Sequence, residues 1–157
     1  MAKDGNPSYS AGTLPKLITF RLSRLQARAN AQAFRVLKKH AGISLSEWRI
    51  FVMIEANGKI SPAQIGRLTG FDKGLISRTI KGMQEKGLLH IEASEADQRS
   101  HMIDFTSDGR ALFERARPAM LRRQAMLHEA FDQVELDALF RAFDKLDQTL
   151  EEMDDRL

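Results

Sequence analysis

Five residues between positions 73 and 81 are of types that commonly contact nucleic acids, four through their side chains and the glycine by letting its backbone approach closely. Lys73, Ser77 and Lys81 are spaced four apart, and Gly74 and Arg78 lie beside them. On an α-helix this spacing places all five on one face. Arginine can donate two hydrogen bonds to a guanine edge, serine can reach a base or a phosphate, and lysine suits phosphates. The pattern predicts a DNA-binding surface, and a solvated polar face is the alternative.

The helix that carries this face is predicted over about residues 72–86. A shorter helix over about residues 62–69 precedes it, and Gly70 supplies the tight turn between them. Two helices joined this closely form a helix-turn-helix, which holds its second helix out toward a DNA groove. The side chains predicted to turn inward from the second helix are Leu75, Ile76, Ile80 and Met83.

The start of the shorter helix carries three agreeing signals. Ser61 can cap it, Pro62 suits its first position, and Gln64 can complete a capping box. Ser61 and Gln64 are also candidate phosphate contacts, because free amides and the helix dipole attract an anion to a helix N-terminus. Helix capping alone explains both residues about as well.

A β-hairpin is predicted after the second helix, with strands over residues 88–93 and 101–105 around the polar turn SEADQRS. Arg99 in this wing is a candidate for the minor groove, where the negative potential is strongest. Asp97 is placed to pair with Arg99 and fix its direction, and a surface ion pair of little consequence is the alternative. Acidic residues outnumber the one arginine here, so we expect a weak contribution of the wing to binding.

Long helices are predicted on both sides of this segment. Apolar residues recur at three- and four-residue spacing from about Leu14 to Leu37, and again after Thr106 and after Asp132. Pro118 predicts a kink or a break in the first of the two C-terminal helices. These apolar stripes are longer than a small central core can cover. We therefore expect them to pack against a second copy of the chain, and packing onto the same chain is the alternative.

The predicted fold is mainly α, a winged helix-turn-helix of three helices and a two-stranded β wing, flanked by long terminal helices for dimerisation. We expect a flexible N-terminal arm over residues 1–12 and an N-terminal dimerisation helix over residues 13–42. A DNA-binding lobe is predicted over residues 43–106, and C-terminal dimerisation helices over residues 107–157.

Charge is distributed unevenly along the chain, although its net value is only +3. Residues 1–49 hold nine Lys and Arg against two Asp and Glu, whereas residues 102–157 hold eight against thirteen. The basic and acidic parts would attract each other if both lay in one interface. Two ordinary solvated faces are the alternative.

Composition argues against several function classes. The 157 residues include no cysteine, which removes disulfides, thiolate metal sites and thiol redox chemistry. No apolar run approaches the roughly 18 residues of a membrane span, and the N-terminus lacks an apolar signal segment, so a cytoplasmic location is expected. A phosphate-binding glycine loop, an H-E-x-x-H motif and a G-x-S-x-G motif are all missing. We predict no catalysis, no cofactor and no metal site.

From about Leu14 to Met153 the chain resembles the multiple-antibiotic-resistance regulator (MarR) family of bacterial transcription factors. Three segments carry the resemblance: LSEWRIFVMI, SPAQIGRLTGFDKGLISRTIKGMQEKGLL and DQRSHMIDFTSDGRAL. The D-x-R of the wing and the T-x-x-G-R-x-L run from Thr106 to Leu112 are its most specific marks. The resemblance implies a homodimeric regulator that binds a palindromic operator in double-stranded DNA. It also implies release by a small aromatic or acyl ligand. We expect a repressor, and an activator is the alternative that the sequence leaves open. Wings of this family usually carry several arginines, and this wing departs from that pattern.

A small anionic or aromatic effector would need cationic and aromatic side chains beneath the DNA-binding lobe. Arginines on one side of the first helix could hold a carboxylate or phosphate, with aromatic walls from the second and fifth helices. A dimer interface or a solvated stripe is the alternative for these arginines. The candidate residues are Arg24, Arg28, Trp48, Phe51, Phe113 and Arg117.

Two other functions are compatible with this sequence. One is a winged-helix module for dimerisation or protein interaction that has little sequence-specific DNA binding, and the acidic wing favours it. The other is an accessory domain of a nucleic-acid enzyme. Selection of binding sites from random duplex DNA separates both from a sequence-specific regulator.

Overall fold

The structure, a computed structural model, describes residues 12–93 and 101–154. A short 3-10 turn (Leu14–Lys16) precedes six helices and two strands. The predicted N-terminal arm, apart from Gly12, and the wing residues Asp97 and Arg99 lie outside the described residues. The elements are α1 (Ile18–His40), α2 (Leu45–Asn57), α3 (Pro62–Thr69), α4 (Lys73–Glu85), β1 (Leu89–Ala93), β2 (His101–Phe105), α5 (Ser107–His128) and α6 (Gln133–Asp154).

Helix α2 lies at the centre of the first part of the chain. It packs against α1, α4 and β2, while α3 packs against α4 and β2. Ile50, Phe51 and Ile54 of α2 are each at most 2% exposed. Burial of such side chains contributes roughly 1.5–3 kcal/mol each, so α2 is the main source of the core that holds the helix-turn-helix together. The predicted winged helix-turn-helix architecture is confirmed.

The two strands pair antiparallel, with Leu89 opposite Phe105 and Ile91 opposite Ile103. Ile60 adds a third short contact, because its amide and carbonyl both hydrogen-bond to Ile103 at 3.2 and 2.9 Å. Ile103 and Phe105 are buried, and Leu89 is only 2% exposed. Met102 is half-buried, because alternation along the strand places its side chain on the opposite face from Ile103.

Helix ends follow local chemistry closely. Ser44 caps α2, because its side chain accepts from the amide of Glu47 and Glu47 accepts in return from the amide of Ser44. Asp72 caps α4 by accepting from the amide of Leu75 at 3.0 Å. Gly70 ends α3 in the left-handed conformation with φ +64°, which glycine adopts without steric cost.

The start of α5 is fastened to the start of the hairpin. Thr106 donates its hydroxyl to the carbonyl of Gly87 at 2.6 Å and accepts from the amide of Gly109 at 3.0 Å. A Cβ placed on Gly109 would lie 1.9 Å from the carbonyl oxygen of Leu88, so only glycine fits this approach of helix to strand. Arg110 then pairs with Glu55 and lies over the Phe105 ring, 4.0 Å from its centroid. The threonine, glycine and arginine of the T-x-x-G-R-x-L run thus all take part in this junction.

The chain divides into two compact units, Met1–Arg117 and Pro118–Leu157. The sequence predicts a kink or a break at Pro118. Helix α5 remains continuous through Pro118, so a break does not occur, and a kink stays a prediction. In the second unit, Asp132 and Glu135 form a capping box at the start of α6, with hydrogen bonds of 2.8 and 3.0 Å. Within the described residues, no helix combines the length and the apolar character needed to cross a membrane.

Candidate nucleic-acid interface

Helix α4 presents a polar face to solvent. Lys73, Ser77, Arg78 and Lys81 are all exposed, as their spacing predicts. On its other side Ile76, Ile80 and Met83 are at most 4% exposed and fix the helix to the core. The prediction that Leu75 turns inward is wrong, because 36% of this residue remains exposed. Leu75 therefore lies at the edge of the outer face, where it offers an apolar surface to a base methyl group.

Arg78 extends back over Gly74, one turn earlier on the same helix. A Cβ on Gly74 would lie 3.1 Å from Nη1 of Arg78 and 3.0 Å from Oδ1 of Asp72. The small residue thus leaves room for the guanidinium to lie along the helix surface near the α4 N-terminus. Glycine lowers the stability of a helix by roughly 1 kcal/mol relative to alanine. At position 74 it also leaves the space that the Arg78 guanidinium occupies.

The cations of this face are available for other partners. Within residues 12–93 and 101–154, no ion pair within 4.0 Å involves Lys73 or Arg78. Lys81 lies 3.9 Å from Glu85, and both side chains are more than 60% exposed, so the pair is weak. Phosphates can therefore compete for all three cations.

Ser61 and Gln64 are occupied in capping α3. The hydroxyl of Ser61 accepts from the amide of Gln64 at 3.2 Å, and Oε1 of Gln64 accepts from the amide of Ser61 at 2.8 Å. Each side chain still has a donor to spare, the hydroxyl proton of Ser61 and the amide nitrogen of Gln64. Capping and a phosphate contact are thus compatible, and the contact stays a prediction.

The C-terminal end of α4 is held by an ion pair between Lys86 and the buried carboxylate of Glu47. Lys86 donates to Glu47 at 2.5 Å, and Glu47 is only 7% exposed. Burial by itself raises the pKa of the Glu47 carboxyl, but hydrogen bonds from Lys86 and Ser44 outweigh it, so the pKa lies below its ordinary value. The ion pair ties the end of α4 to the first turn of α2.

The N-terminal end of α4 is held by Arg49 of α2. Its guanidinium lies over the ring of Phe71, 4.9 Å from the centroid, in the turn immediately before α4. The same guanidinium donates from Nη2 to Oδ1 of Asn30 on α1 at 3.0 Å. Arg49 therefore connects α1 directly to the turn that sets where α4 begins. Sequence analysis missed both anchors, because Lys86 and Arg49 meet partners 19 to 39 positions away in the chain.

The negative charge at the base of the wing is partly compensated by a lysine from outside the hairpin. Lys59 pairs with Glu92, and its hydrogen bond and charge hold the pKa of the Glu92 carboxyl below its ordinary value. One of the wing's carboxylates is thereby neutralised by a lysine outside the hairpin. Because the turn with Asp97 and Arg99 lies outside the described residues, their roles stay predictions.

The aromatic residues proposed as ligand walls pack against one another. Trp48 stacks on Phe113 with centroids 5.2 Å apart, and Phe51 lies 6.2 Å from Phe113 edge to face. Phe51 is fully buried and Phe113 is 3% exposed, so both belong to the core, while Trp48 is half-buried. Of this cluster only Trp48 has surface left for a ligand.

The cationic ligand candidates lie on exposed surfaces. Arg24 and Arg28 are exposed on α1. Arg117 is exposed and lies 3.3 Å from Glu114. A shared pocket for these arginines and the aromatic cluster stays a prediction.

Comparisons with known proteins agree on one family. Residues 41–100 match the model described as the MarR family. The organic hydroperoxide resistance transcriptional regulator of Bacillus subtilis (strain 168) is 24% identical over 90 residues, which cover 57% of this chain and 61% of that regulator. Less than two thirds of its length is therefore matched.

Solved structures match over most of the chain. A MarR/EmrR family transcriptional regulator from Acinetobacter sp. ADP1 is 28% identical with a TM-score of 0.78, covering 85% of this chain and 94% of its own. The transcriptional repressor CouR, bound to a 23-mer DNA duplex, is 21% identical with a TM-score of 0.74, and the match covers 88% of this chain and 98% of CouR. Other similar structures of this group hold operator DNA or a natural ligand.

Proposed function

We propose that this chain is a DNA-binding transcription regulator of the MarR family and not an enzyme, and that it acts as a repressor that binds a palindromic operator as a homodimer. Its location is then the cytoplasm, where chromosomal DNA is accessible. Release of the operator by a small anionic or aromatic effector completes the proposal.

The outer face of α4 carries this proposal. Arg78 is exposed, makes no ion pair with the described residues and lies along the helix surface over Gly74. A guanidinium in this position can donate two hydrogen bonds to O6 and N7 of guanine. Lys73 lies five residues before Arg78 and Lys81 three residues after it, and both supply phosphate contacts. The repressor CouR, of the same fold, is bound to a DNA duplex, which supports DNA as the partner here.

The homodimer is supported by apolar side chains that the single chain leaves exposed. Leu25 on α1 is 61% exposed, and Val134 and Leu150 on α6 are 74% and 56% exposed. Exposed apolar residues spread along whole helices are typical of a surface that a partner covers. We assign residues 13–42 and 107–157 to dimerisation and residues 43–106 to DNA binding. A homodimer has two α4 helices related by two-fold symmetry, and a palindrome offers one half-site to each of them.

The effector is proposed on narrower grounds. Phe51 and Phe113 are packed in the core, so a ligand would contact Trp48 and the exposed Arg24, Arg28 or Arg117. Trp48 offers one aromatic face and the arginines offer a counter-ion for a carboxylate or phosphate. A quench of the Trp48 fluorescence by an aromatic carboxylate, weakened in an Arg24→Ala/Arg28→Ala variant, would support this part.

Selection of bound sequences from random duplex DNA tests the main proposal. We expect enrichment of a palindrome with half-sites about one helical turn apart. The matched control is the Lys73→Ala/Ser77→Ala/Arg78→Ala variant, which should enrich nothing while retaining the unfolding midpoint of the native chain. Failure of the native chain to enrich any sequence would favour a protein-interaction module instead.

A further inference from the structure

Leu75 borders the polar face of α4 on the side of Arg78, because residues three apart lie about 60° apart around a helix. Leucine is among the residue types most often buried, yet Leu75 is 36% exposed, whereas Ile76 and Ile80 are at most 4% exposed. Single exposed leucines are common on protein surfaces and carry no meaning alone. This one lies in the first turn of α4, and the first residues of a recognition helix are those that contact base edges.

The backbone of Leu75 is held on both sides. Its amide donates to Oδ1 of Asp72 at 3.0 Å, and its carbonyl accepts from the hydroxyl of Thr79 at 2.8 Å. These bonds fix the direction in which the Leu75 side chain leaves the helix. The hydroxyl proton of Thr79 is used in its bond, so Thr79 has no donor left for a base. This edge of α4 therefore offers a base an apolar contact rather than a hydrogen bond.

The guanidinium of Arg78 lies at the level of Leu75 along the helix. A Cβ on Gly74 would lie 3.1 Å from Nη1 and 3.7 Å from Cζ of Arg78. Gly74 is the chain neighbour of Leu75, and consecutive Cα atoms are about 3.8 Å apart. Stacked bases are separated by about 3.4 Å along the duplex. The two side chains can thus contact neighbouring base pairs, as residues three apart do in zinc-finger helices that lie in the major groove.

The chemistry of the major groove decides what Leu75 can recognise. Of the four bases only thymine presents a methyl group there, and the other base edges present donors and acceptors. Contact between leucine and this methyl group removes apolar surface of both from water. We propose that Leu75 is a specificity-determining residue that reads the 5-methyl group of a thymine in the base pair next to the guanine bound by Arg78. Each operator half-site then holds guanine and thymine in adjacent base pairs. This inference rests on the proposed operator binding.

Deoxyuridine tests this contact, because it differs from thymidine only by the absent methyl group. In the palindrome that the native chain enriches, the guanine of Arg78 is the position at which Arg78→Ala loses its preference. Each thymine is then replaced by deoxyuridine at matching positions of both half-sites, and affinity is measured by fluorescence anisotropy. We expect one replacement, next to that guanine, to weaken binding about fourfold per half-site, the factor for one buried methyl group, and about 16-fold for both. The other replacements should change affinity less than about twofold per half-site.

Variants of Leu75 show whether this residue causes the effect. Leu75→Ala should bind thymine and deoxyuridine DNA with affinities within about twofold of each other. Because the ratio compares two DNAs on one protein, a smaller folded fraction does not change it. Leu75→Met retains an apolar side chain of similar volume and should retain the deoxyuridine effect. Leu68→Ala is the matched control, since Leu68 is 61% exposed on α3, the helix that crosses the DNA backbone, and the effect should persist there too.

Cytosine at the same position separates the methyl contact from hydrogen bonding. Replacement of the thymine pair by a C·G pair should weaken binding, and 5-methylcytosine should recover about fourfold of the loss per half-site. Equal affinities for cytosine and 5-methylcytosine would overturn the inference.

Three further outcomes would also overturn it. A deoxyuridine effect that persists in Leu75→Ala would assign the methyl group to the shape of the DNA instead. The absence of a thymine beside the guanine of Arg78, or the absence of any such guanine, would exclude the proposed reading while an enriched palindrome still supported the regulator. A native chain that enriches no sequence would overturn the proposed operator binding itself, and the reading by Leu75 with it.

Discussion

Arg78 and Arg99 are expected to divide the work of DNA recognition unequally. Arg78→Ala removes a side chain suited to a guanine edge, so we expect discrimination between operator and random DNA to fall about 5- to 150-fold, as for the loss of a bidentate contact worth roughly 1–3 kcal/mol. Arg99→Ala should reduce discrimination less. Lys81→Ala is the control, because loss of a phosphate contact weakens binding to both DNAs about equally. Equal losses for Arg78→Ala and Arg99→Ala in competition binding would contradict this division.

At Gly109 the start of α5 approaches the backbone of Leu88 so closely that no side chain fits. Gly109→Ala would put a Cβ 1.9 Å from the Leu88 carbonyl oxygen, which neither backbone can avoid without moving. We expect a loss of unfolding free energy at or above the upper end of the roughly 1–3 kcal/mol typical of overpacking. Gly82→Ala is the matched control, because nothing lies within 4 Å of its Cβ position and alanine favours the helix. Urea unfolding of both variants checks the contrast, and equal stabilities would rule out the proposed clash.

Among the elements, α4 depends on the ion pair between Lys86 and Glu47 at its C-terminal end. Lys86→Met leaves a mostly buried carboxylate without its cation, and we expect a loss of about 1–3 kcal/mol at pH 7, reduced from the fully buried case because Lys86 is 60% exposed. Arg117→Gln, which breaks an exposed pair, should cost well under about 1 kcal/mol in the same urea titration.

The pH dependence of this loss has a definite sign. The pKa of Glu47 is lowered in the folded chain, so its contribution to stability is present above its ordinary value of 4.5 and disappears as pH falls through the folded pKa. A protonated Glu47 needs no cation. The difference between the native chain and Lys86→Met should therefore be largest near neutral pH and shrink below about pH 4. A difference that stays constant from pH 7 to pH 3 would show that Glu47 is not the partner that matters.

Arg49 couples α1 to the turn before α4 through Asn30 and Phe71. Arg49→Met should weaken operator binding more than its loss of unfolding free energy accounts for, because the start of α4 is then no longer connected to α1 through Arg49. Phe71→Leu should do the same and Phe71→Trp should not, since tryptophan retains the cation–π contact. In a double-mutant cycle on operator affinity, Arg49→Met and Phe71→Leu should be less than additive. Additive losses would mean that the two residues act separately.

Local signals predicted the elements well, and long-range contacts could not be predicted. Ser61 with Gln64, and Asp132 with Glu135, mark helix starts because both partners of a capping box lie three residues apart. Ser44 and Glu47 carry the same signal at the start of α2. By contrast, Phe51 and Phe113 were assigned to a ligand pocket because nothing local shows that residues 62 positions apart meet in a core. Leu75 was misplaced because periodicity gives the centre of an apolar stripe but not its edge.

For the molecule as a whole, operator binding should depend on the terminal helices. Phe143 on α6 is 42% exposed, and Phe143→Asp should raise the monomer fraction and lower affinity for a full palindrome toward that for a half-site. Ala138→Asp adds the same charge on a different face and should leave both affinities near native values. Sedimentation and titration of full and half-site DNA check this together. Unchanged palindrome affinity in a monomeric Phe143→Asp chain would exclude cooperation between two copies.

The division of the chain at Arg117 has a consequence for its synthesis. Among the described residues, every buried apolar side chain except Met120 lies in the unit Met1–Arg117. The ribosome therefore completes nearly the whole of this core before it begins the second unit. Because domains generally fold from the N-terminal side as they are synthesised, we expect the winged helix to begin folding before α6 is available to pair.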